Sequence, residues 1–238
     1  MSRVVLVTGG AGGMGRAIRA RFEALGDEVV TADLHDADVI ANVAEVEDCR
    51  RMVAEAVARH GRLDVLVTAA GVWVEGPTAT MSERDWDRVI DVNLKGTFFA
   101  IRHAIPRLVE TAGCVVAISS DYGLVGGNGA AIYAASKFGV NGLVRSLALE
   151  LAPLGVRINS VCPTDVDTPM LAGQARDFGG GDEEAYLRAL LGTLPQGEHA
   201  RFIRPDEIAS VVAFLASPEA EPITGVAMPV EWGVTAGY

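Results

Sequence analysis

Cysteine and histidine are scarce in this chain, with three and four among 238 residues. Cys49, Cys114 and Cys162 are odd in number and scattered. That argues against a disulfide framework and fits reduced core thiols in a cytosolic protein. His35, His60, His103 and His199 are equally dispersed, and no Cys/His group has metal-ligand spacing, so no metal site is expected. Long apolar runs are missing too. No stretch approaches the ~18 to 20 apolar residues a membrane helix needs, so no membrane partner is expected. The first apolar stretch, Val4–Val7, is too short for a signal-peptide core, and a cytoplasmic location is expected. Basic residues are in the minority: 20 Lys and Arg face 31 Asp and Glu, for a net charge of −11. This balance argues against nucleic acid and anionic membrane as partners and favours solubility. Repeats, low-complexity tracts and linkers are absent, so one domain over residues 1–238 is expected.

What is present begins with Val4–Val7, a β-branched apolar run that reads as a buried strand. Thr8-Gly-Gly-Ala-Gly-Gly-Met-Gly15 follows, and then Ile18, Phe22 and Leu25 recur at helical spacing. Strand, glycine loop and helix in that order bind nucleotide phosphates. Glycine lets the backbone approach a pyrophosphate, and a helix N-terminus favours anions. Strands and helices then alternate, the pattern of an α/β, doubly wound parallel sheet (a Rossmann fold). Further strands are predicted at Glu28–Ala32, Val39–Val43, Leu63–Thr68, Cys114–Ser119, Arg157–Val161 and Val226–Val230. Helices are predicted over Val46–Arg59, Ser82–Val109, Ala131–Leu151 and from Pro205 to about Ser217. The second and third strands are too close for a helical crossover, so a tight loop around His35–Asp38 is inferred.

Tyr133-Ala-Ala-Ser-Lys137, with Ser120 thirteen residues upstream, reads as a hydride-transfer site. Positions i and i+4 share a helix face, which sets Lys137 beside Tyr133. A free tyrosine titrates near pH ~10, and a neighbouring cation favours the phenolate, so a lowered Tyr133 pKa is expected. Ser120 can orient a carbonyl or hydroxyl oxygen by hydrogen bonding.

The spacing Thr-Gly-x-x-x-Gly-x-Gly (Gly9, Gly13, Gly15), taken with Ser120, Tyr133 and Lys137, resembles the short-chain dehydrogenase/reductase family. Asp64–Gly71 resembles its strand and Asn-Asn-Ala-Gly-like turn. Trp86–Gly96 resembles the helix carrying its active-site asparagine, here Asn93. Asn159–Pro169 resembles the segment that closes over nicotinamide. The resemblance covers essentially the whole chain and implies an oxidoreductase acting on a small secondary alcohol or ketone. It implies that Tyr133 is the general base and acid, Ser120 positions the substrate oxygen and Lys137 also holds the nicotinamide ribose. Asn93 would place a water that relays the proton outward. Cofactor contacts are implied for Gly9, Gly13, Met14, Gly15, Asn42, Val43, Ala69, Ala70, Gly71, Pro163, Val166 and Thr168.

Asp33 ends the second strand, about twenty residues past the glycine loop. A carboxylate there can accept from both ribose hydroxyls of NAD and would repel the 2′-phosphate of NADP, so NAD is the expected cofactor. Two other readings stay open: an NADPH-dependent 3-oxoacyl reductase, and a non-catalytic NAD-binding sensor or scaffold. Asp33 and the absence of a basic residue at Gly10–Gly12 count against the first. The intact Tyr133 and Lys137 count against the second.

The chain departs from the family pattern at four places. Thr68-Ala69-Ala70-Gly71 lacks the usual asparagines, so a strand-end hydrogen bond is expected to be lost. Thr164 replaces glycine, Asn42 replaces aspartate and should keep an acceptor for adenine, and Trp232 replaces glycine. Trp73, Asp121, Tyr122 and Asp165 are candidate substrate contacts. A polar, hydroxyl-bearing or ring substrate is expected if Asp121 and Asp165 face it; both carboxylates could instead face solvent or cap helices. Residues 164–204 would form a lid, with Gly179–Gly181 as a hinge. The resemblance implies a homotetramer or homodimer, with the two long helices or the apolar stretch Ile223–Tyr238 as interface.

Overall fold

The structure is a computed structural model that describes residues 2–237. Seven strands form one parallel sheet: β1 (Val4–Thr8), β2 (Glu28–Asp33), β3 (Val39–Ile40), β4 (Val65–Thr68), β5 (Cys114–Ile118), β6 (Arg157–Pro163) and β7 (Ala227–Val230). Their order is β3-β2-β1-β4-β5-β6-β7. The eight helices are α1 (Gly13–Ala24), α2 (Val46–His60), α3 (Glu83–Val89), α4 (Thr97–Thr111), α5 (Ala131–Leu151), α6 (Pro169–Phe178), α7 (Glu183–Leu191) and α8 (Pro205–Leu215).

The apolar strands are buried on both faces because side chains alternate along a strand. Val4 and Leu6 pack with Met52 of α2, Ile101 of α4 and Val144 of α5. Val5 and Val7 pack with Ile18 and Phe22 of α1 and Ile208 and Val212 of α8. Each such fully buried side chain contributes roughly 1.5–3 kcal/mol. Leu25 does not join them: it caps the end of α1 and is 51% exposed.

The short link from β2 to β3 is a loop, as the spacing required. Asp38 pins it by accepting from the Thr31 amide (2.9 Å) and hydroxyl (2.7 Å). Strand β3 is shorter than expected. After Ala41 the chain turns, with the Asn42 side chain accepting from the Ala44 amide at 3.1 Å. The helix predicted over Ser82–Val109 is also divided. Ser82 caps α3 in a reciprocal box with Asp85. A π-helical run, Ile90–Gly96, then separates α3 from α4. Two contacts accompany the wider turn. Asn93 is drawn to the Val72 peptide, and Gly96 lies so close to Val43 that a Cβ would sit 2.9 Å from its carbonyl oxygen.

The region after β6 contains two helices the sequence reading did not place, α6 and α7. Gly179–Gly181 separates them, with φ of 63° at Gly180 and 94° at Gly181. Trp232 holds the φ of 60° that the family's glycine would accept freely. Its indole stacks on the Arg201 guanidinium, 4.7 Å from the ring centroid, which offsets part of that strain. Tyr238, the end of the candidate apolar interface, lies outside the described residues.

Gly15 shows how tightly the first turn is wound. A Cβ there would lie 2.1 Å from the Gly9 oxygen and 2.8 Å from the Gly10 Cα. Backbone cannot yield as a side-chain tip can, so Gly15→Ala is expected to cost about 1–3 kcal/mol. That corresponds to a melting temperature several degrees lower by thermal denaturation, at ~2–4 °C per kcal/mol for a chain of this size. Coincident melting curves for variant and parent would contradict the packing described.

Candidate active site

Parallel strands bring the loops that follow β1, β4, β5 and β6 to one edge of the sheet. The order reverses between β1 and β4, and such a switch point opens a crevice. Gly9 (φ 68°) lets β1's loop touch the Ala69–Ala70 backbone; a Cβ would stand 2.6 Å from the Ala70 amide nitrogen. Gly13 presses on Thr168, where a Cβ would meet Cγ2 at 2.8 Å. A groove of about 370 Å³ runs between these loops. Its walls include Gly9, Gly13, Met14, Gly15, Asp33, Asn42, Val43, Ala70 and Thr168.

Asp33 is anchored at the groove's far end. One carboxylate oxygen accepts from the Ala11 amide (2.9 Å), the other from the Leu34 amide (2.7 Å). No Arg or Lys lines the groove among the described residues. Arg16, the nearest along the chain, turns its guanidinium to the Ala11 carbonyl at 2.7 Å. A glycine cradle at a helix N-terminus with an acid beyond it fits a dinucleotide.

The groove continues into a cavity of about 680 Å³. The two share Met14, Ala69, Gly71 and Thr168 as walls. Ser120, Tyr133 and Lys137 all line the cavity. Helix α5 carries the last two, and a buried polar network fixes its height against the sheet. Asn141 of α5 accepts from the Ser160 hydroxyl (2.8 Å) and donates to the Gly123 carbonyl (2.9 Å). The Ser119 hydroxyl donates to the Lys137 carbonyl at 3.2 Å.

Lys137 is 4% exposed, and its Nζ donates to the Ile118 carbonyl at 2.9 Å. Burial without an anionic partner pushes its ammonium down to about 8. The same Nζ lies 5.5 Å from the Tyr133 ring centroid, over its face. The expected lowering of the Tyr133 pKa is not found. Burial holds the phenol above its usual value, and the hydrogen bond with Ser120 opposes this only in part. The physical reason is position: Lys137 is committed to a carbonyl, and desolvation of the phenolate outweighs it.

Asn93 is 1% exposed, and its side chain makes three hydrogen bonds, which leave one lone pair of its oxygen unused. Its oxygen accepts from the Val72 amide (2.8 Å); its nitrogen donates to the Val72 carbonyl (3.0 Å) and to Ser136 Oγ (3.1 Å). Asn93 thereby fastens the turn after β4 to α5. A Cβ at Gly71 would lie 3.5 Å from Asn93 Oδ1 and 3.8 Å from Lys137 Nζ, so these three meet at one point. The turn without the usual asparagines keeps its backbone bonds and lacks a side-chain one at the strand end. Ala69 still donates to the Thr8 carbonyl (3.2 Å) and Ala70 to Thr8 Oγ1 (3.3 Å), while the buried Thr68 hydroxyl has no partner.

Aromatic rings and carboxylates form the outer wall. Trp73 packs on Tyr133, with centroids 4.4 Å apart, and stacks on Tyr122 at 5.9 Å. Asp121 is buried and accepts from the Ser120 hydroxyl at 2.7 Å. Burial raises its pKa, while Ser120, Thr164 and the Tyr122 amide hydrogen-bond to it and oppose the rise. Thr164, the departure from glycine, thus supports Asp121. Asp165 faces the same cavity, and burial, with Asp121 and Glu75 nearby, pushes its carboxyl up to about 6.

Glu75 and Tyr186 belong to this wall and were missed by the sequence reading, as were Asn141 and Ser160. Glu75 Oε2 accepts from Trp73 Nε1 (2.8 Å) and from the Tyr186 hydroxyl (2.8 Å). No local pattern signals a contact across 111 positions. Val166 and Pro163 line the cavity. Among the described residues, no helix is long and apolar enough to cross a membrane.

The Asp165 carboxyl gives a pH test with a defined sign. Its folded pKa of about 6 lies above the ordinary aspartate value of 3.8, so the ionised form destabilises the fold. Below pH ~4 the carboxyl is protonated in both states and the penalty vanishes; above pH ~6 it is fully present. Asp165→Asn is therefore expected to raise the melting temperature at pH ~8, by at most about 3 kcal/mol of stability, and to leave it unchanged near pH ~4. An equal gap at both pH values would mean that the carboxylate is not strained.

Comparison with known proteins agrees with this arrangement. A short-chain dehydrogenase family model described as enoyl-(acyl carrier protein) reductase matches residues 9–235. Meso-2,3-butanediol dehydrogenase of Serratia marcescens is 38% identical over 99% of this chain and 95% of its own. Aldohexose dehydrogenase of Thermoplasma acidophilum, solved ligand-free, superposes with a TM-score of 0.90 at 35% identity, covering 99% of this chain and 94% of that one. Actinorhodin polyketide ketoreductase, solved with NADPH, superposes with a TM-score of 0.91 at 32% identity, covering 98% and 97%. The parallel sheet, the glycine-lined groove, the Ser120–Tyr133–Lys137 cavity and a family match over nearly the whole length agree: this chain is an oxidoreductase of the short-chain dehydrogenase/reductase family.

Proposed function

We propose that the enzyme transfers a hydride between NAD(H) and the carbinol carbon of a small, polar or cyclic secondary alcohol, or the corresponding ketone. The observation that carries this reading is the meeting of Ser120, Tyr133 and Lys137 in a cavity continuous with the glycine groove. Asp33 would accept from the adenosine ribose hydroxyls. Asn42 and Val43 would flank adenine, and Pro163, Val166 and Thr168 would hold the carboxamide. When bound, the nicotinamide supplies the hydride acceptor or donor.

The protein's own part is positioning and proton transfer. Ser120 gives its hydrogen to Asp121, and its oxygen, which accepts from the Tyr122 amide at 3.1 Å, has a second lone pair to accept from a substrate hydroxyl. Tyr133 Oη takes the substrate proton in oxidation and returns it in reduction. Desolvation favours the phenol, the form that donates toward a carbonyl oxygen in reduction; in oxidation the phenol must first release its proton before it takes the substrate's. Lys137 would hold the nicotinamide ribose, and its meeting point with Asn93 and Gly71 supports a water-mediated exit for the proton. Residues 164–204 act as a lid on a single domain. Exposed Leu149 and Phe138 on α5 and Val109 on α4 support assembly as a homotetramer or homodimer.

The carboxylates of Asp121, Asp165 and Glu75 line the cavity, and Lys137 is the sole cation among its described walls. This favours a neutral hydroxylated substrate over an anionic one. The polyketide ketoreductase neighbour favours a second reading, an NADPH-dependent 3-oxoacyl reductase. That reading needs a cation for the 2′-phosphate, and the groove walls provide none.

The test follows NADH formation with a panel of secondary alcohols, cyclic diols and polyols, with NAD and NADP side by side. Turnover with NAD is expected to exceed that with NADP by ~10²-fold, the scale of an unpaired like-charge contact. Tyr133→Phe is expected to lower kcat/KM by about 10²–10⁴-fold. A preference for NADP would overturn the role of Asp33, and an active Tyr133→Phe would overturn the role of Tyr133.

A further inference from the structure

Helix α7 is weakly held. None of its residues is fully buried. Its other side-chain hydrogen bonds, Arg188 with Glu184 and the Asp182 cap on the Ala185 amide, are local. Among the described residues, Tyr186 to Glu75 is the one side-chain hydrogen bond from α7 to a residue outside 164–204. It runs from the Tyr186 hydroxyl to Glu75 Oε2 at 2.8 Å. The same oxygen accepts from Trp73 Nε1 at 2.8 Å, and the Trp73 ring lies 4.4 Å from that of Tyr133. One carboxylate oxygen therefore joins a loosely packed helix to the aromatic wall of the catalytic tyrosine. All four side chains line the 680 Å³ cavity.

We propose that Glu75 is a positioning residue that latches α7 over the substrate cavity and, through Trp73, sets the wall against which Tyr133 packs. Hydrogen bonds to an ionised acceptor are about twice as strong as neutral ones, so a single carboxylate suffices to hold two donors. Burial and the Glu75 carboxylate raise the Tyr186 pKa, which keeps its hydroxyl a donor. The latch selects substrates by size: closure is complete only when the ligand fits beneath the Tyr186–Glu75 bond. A ligand too tall for the cavity must break that bond to enter. The kinetic consequences rest on the oxidoreductase reading above; the closure itself does not.

The deciding experiment is hydrogen exchange of the α7 amides in the parent, Glu75→Gln, Glu75→Ala, Tyr186→Phe and the double variant Glu75→Ala/Tyr186→Phe. Losing a charge-assisted bond is expected to speed α7 exchange about tenfold in Tyr186→Phe and Glu75→Ala. Glu75→Gln keeps an acceptor oxygen without the charge and is expected to fall between the parent and these variants, about threefold faster than the parent. The double variant should match the single ones, because both break the same bond. With an alcohol substrate, Tyr186→Phe is expected to raise KM about tenfold and leave kcat within about threefold. Unchanged α7 exchange in Tyr186→Phe, or additive effects in the double variant, would overturn the latch. Exchange needs no substrate, so a failed alcohol screen bears on the proposed reaction and leaves this result to stand alone.

Discussion

The site depends on one desolvated contact, the Lys137 ammonium against the Ile118 carbonyl at 2.9 Å. That bond ties the second turn of α5 to the end of strand β5. It fixes where Tyr133, one turn earlier, presents its hydroxyl. The cost is removing an ammonium from water with no carboxylate beside it, and the chain meets that cost with a lowered lysine pKa and a rigid polar network. Ser119, Asn141 and Ser160 hold the helix to β5 and β6 so that the geometry persists. The tyrosine feels the same desolvation in the opposite sense: burial that disfavours the ammonium also disfavours the phenolate. Desolvation thus keeps the tyrosine as phenol and lets the lysine ammonium give up its proton near 8, well below the ordinary lysine range.

The parts legible in the sequence are those written locally. The glycine loop needs only adjacent positions, and its flanking strand and helix follow from apolar period. Tyr133 and Lys137 need only the four-residue repeat of a helix. The parallel sheet follows from alternating elements, and the loop at His35–Asp38 follows from a gap too short for a helix. The π run at Ile90–Gly96 was hidden, because seven residues of wider turn leave the apolar pattern of Trp86–Val109 almost unchanged; what accompanies it is a tertiary contact, Asn93 with Val72. Glu75 and Tyr186 were hidden for a similar reason, since their meeting is a property of the folded cavity. The ionisation of Tyr133 was misjudged because helical spacing reports a neighbour and says nothing of solvent.

The departures from the family pattern now have physical content. Thr164 supplies a hydroxyl to Asp121, and Trp232 occupies a left-handed backbone site while resting on Arg201. Ala69 and Ala70 keep their backbone bonds to the first strand. Asn42 spends its carbonyl on the Ala44 amide, which shapes the turn after β3. Asn42 and Trp232 lie outside the cavity walls, the Thr68–Gly71 turn borders the cavity beside Lys137, and Thr164 acts on Ser120 through Asp121. The variation is therefore around Tyr133 and Lys137 and leaves the placement of these two side chains on α5 unchanged.

The central claim is that burial, and not the neighbouring lysine, sets the ionisation of Tyr133. The direct measurement is the tyrosinate absorbance of the protein alone as pH is raised, taken as the difference between parent and Tyr133→Phe. The account predicts that the difference signal emerges only above the ordinary tyrosine range near pH ~10. A difference signal that titrates near neutral pH would contradict it, and would mean that Lys137 stabilises the phenolate without help from any bound group.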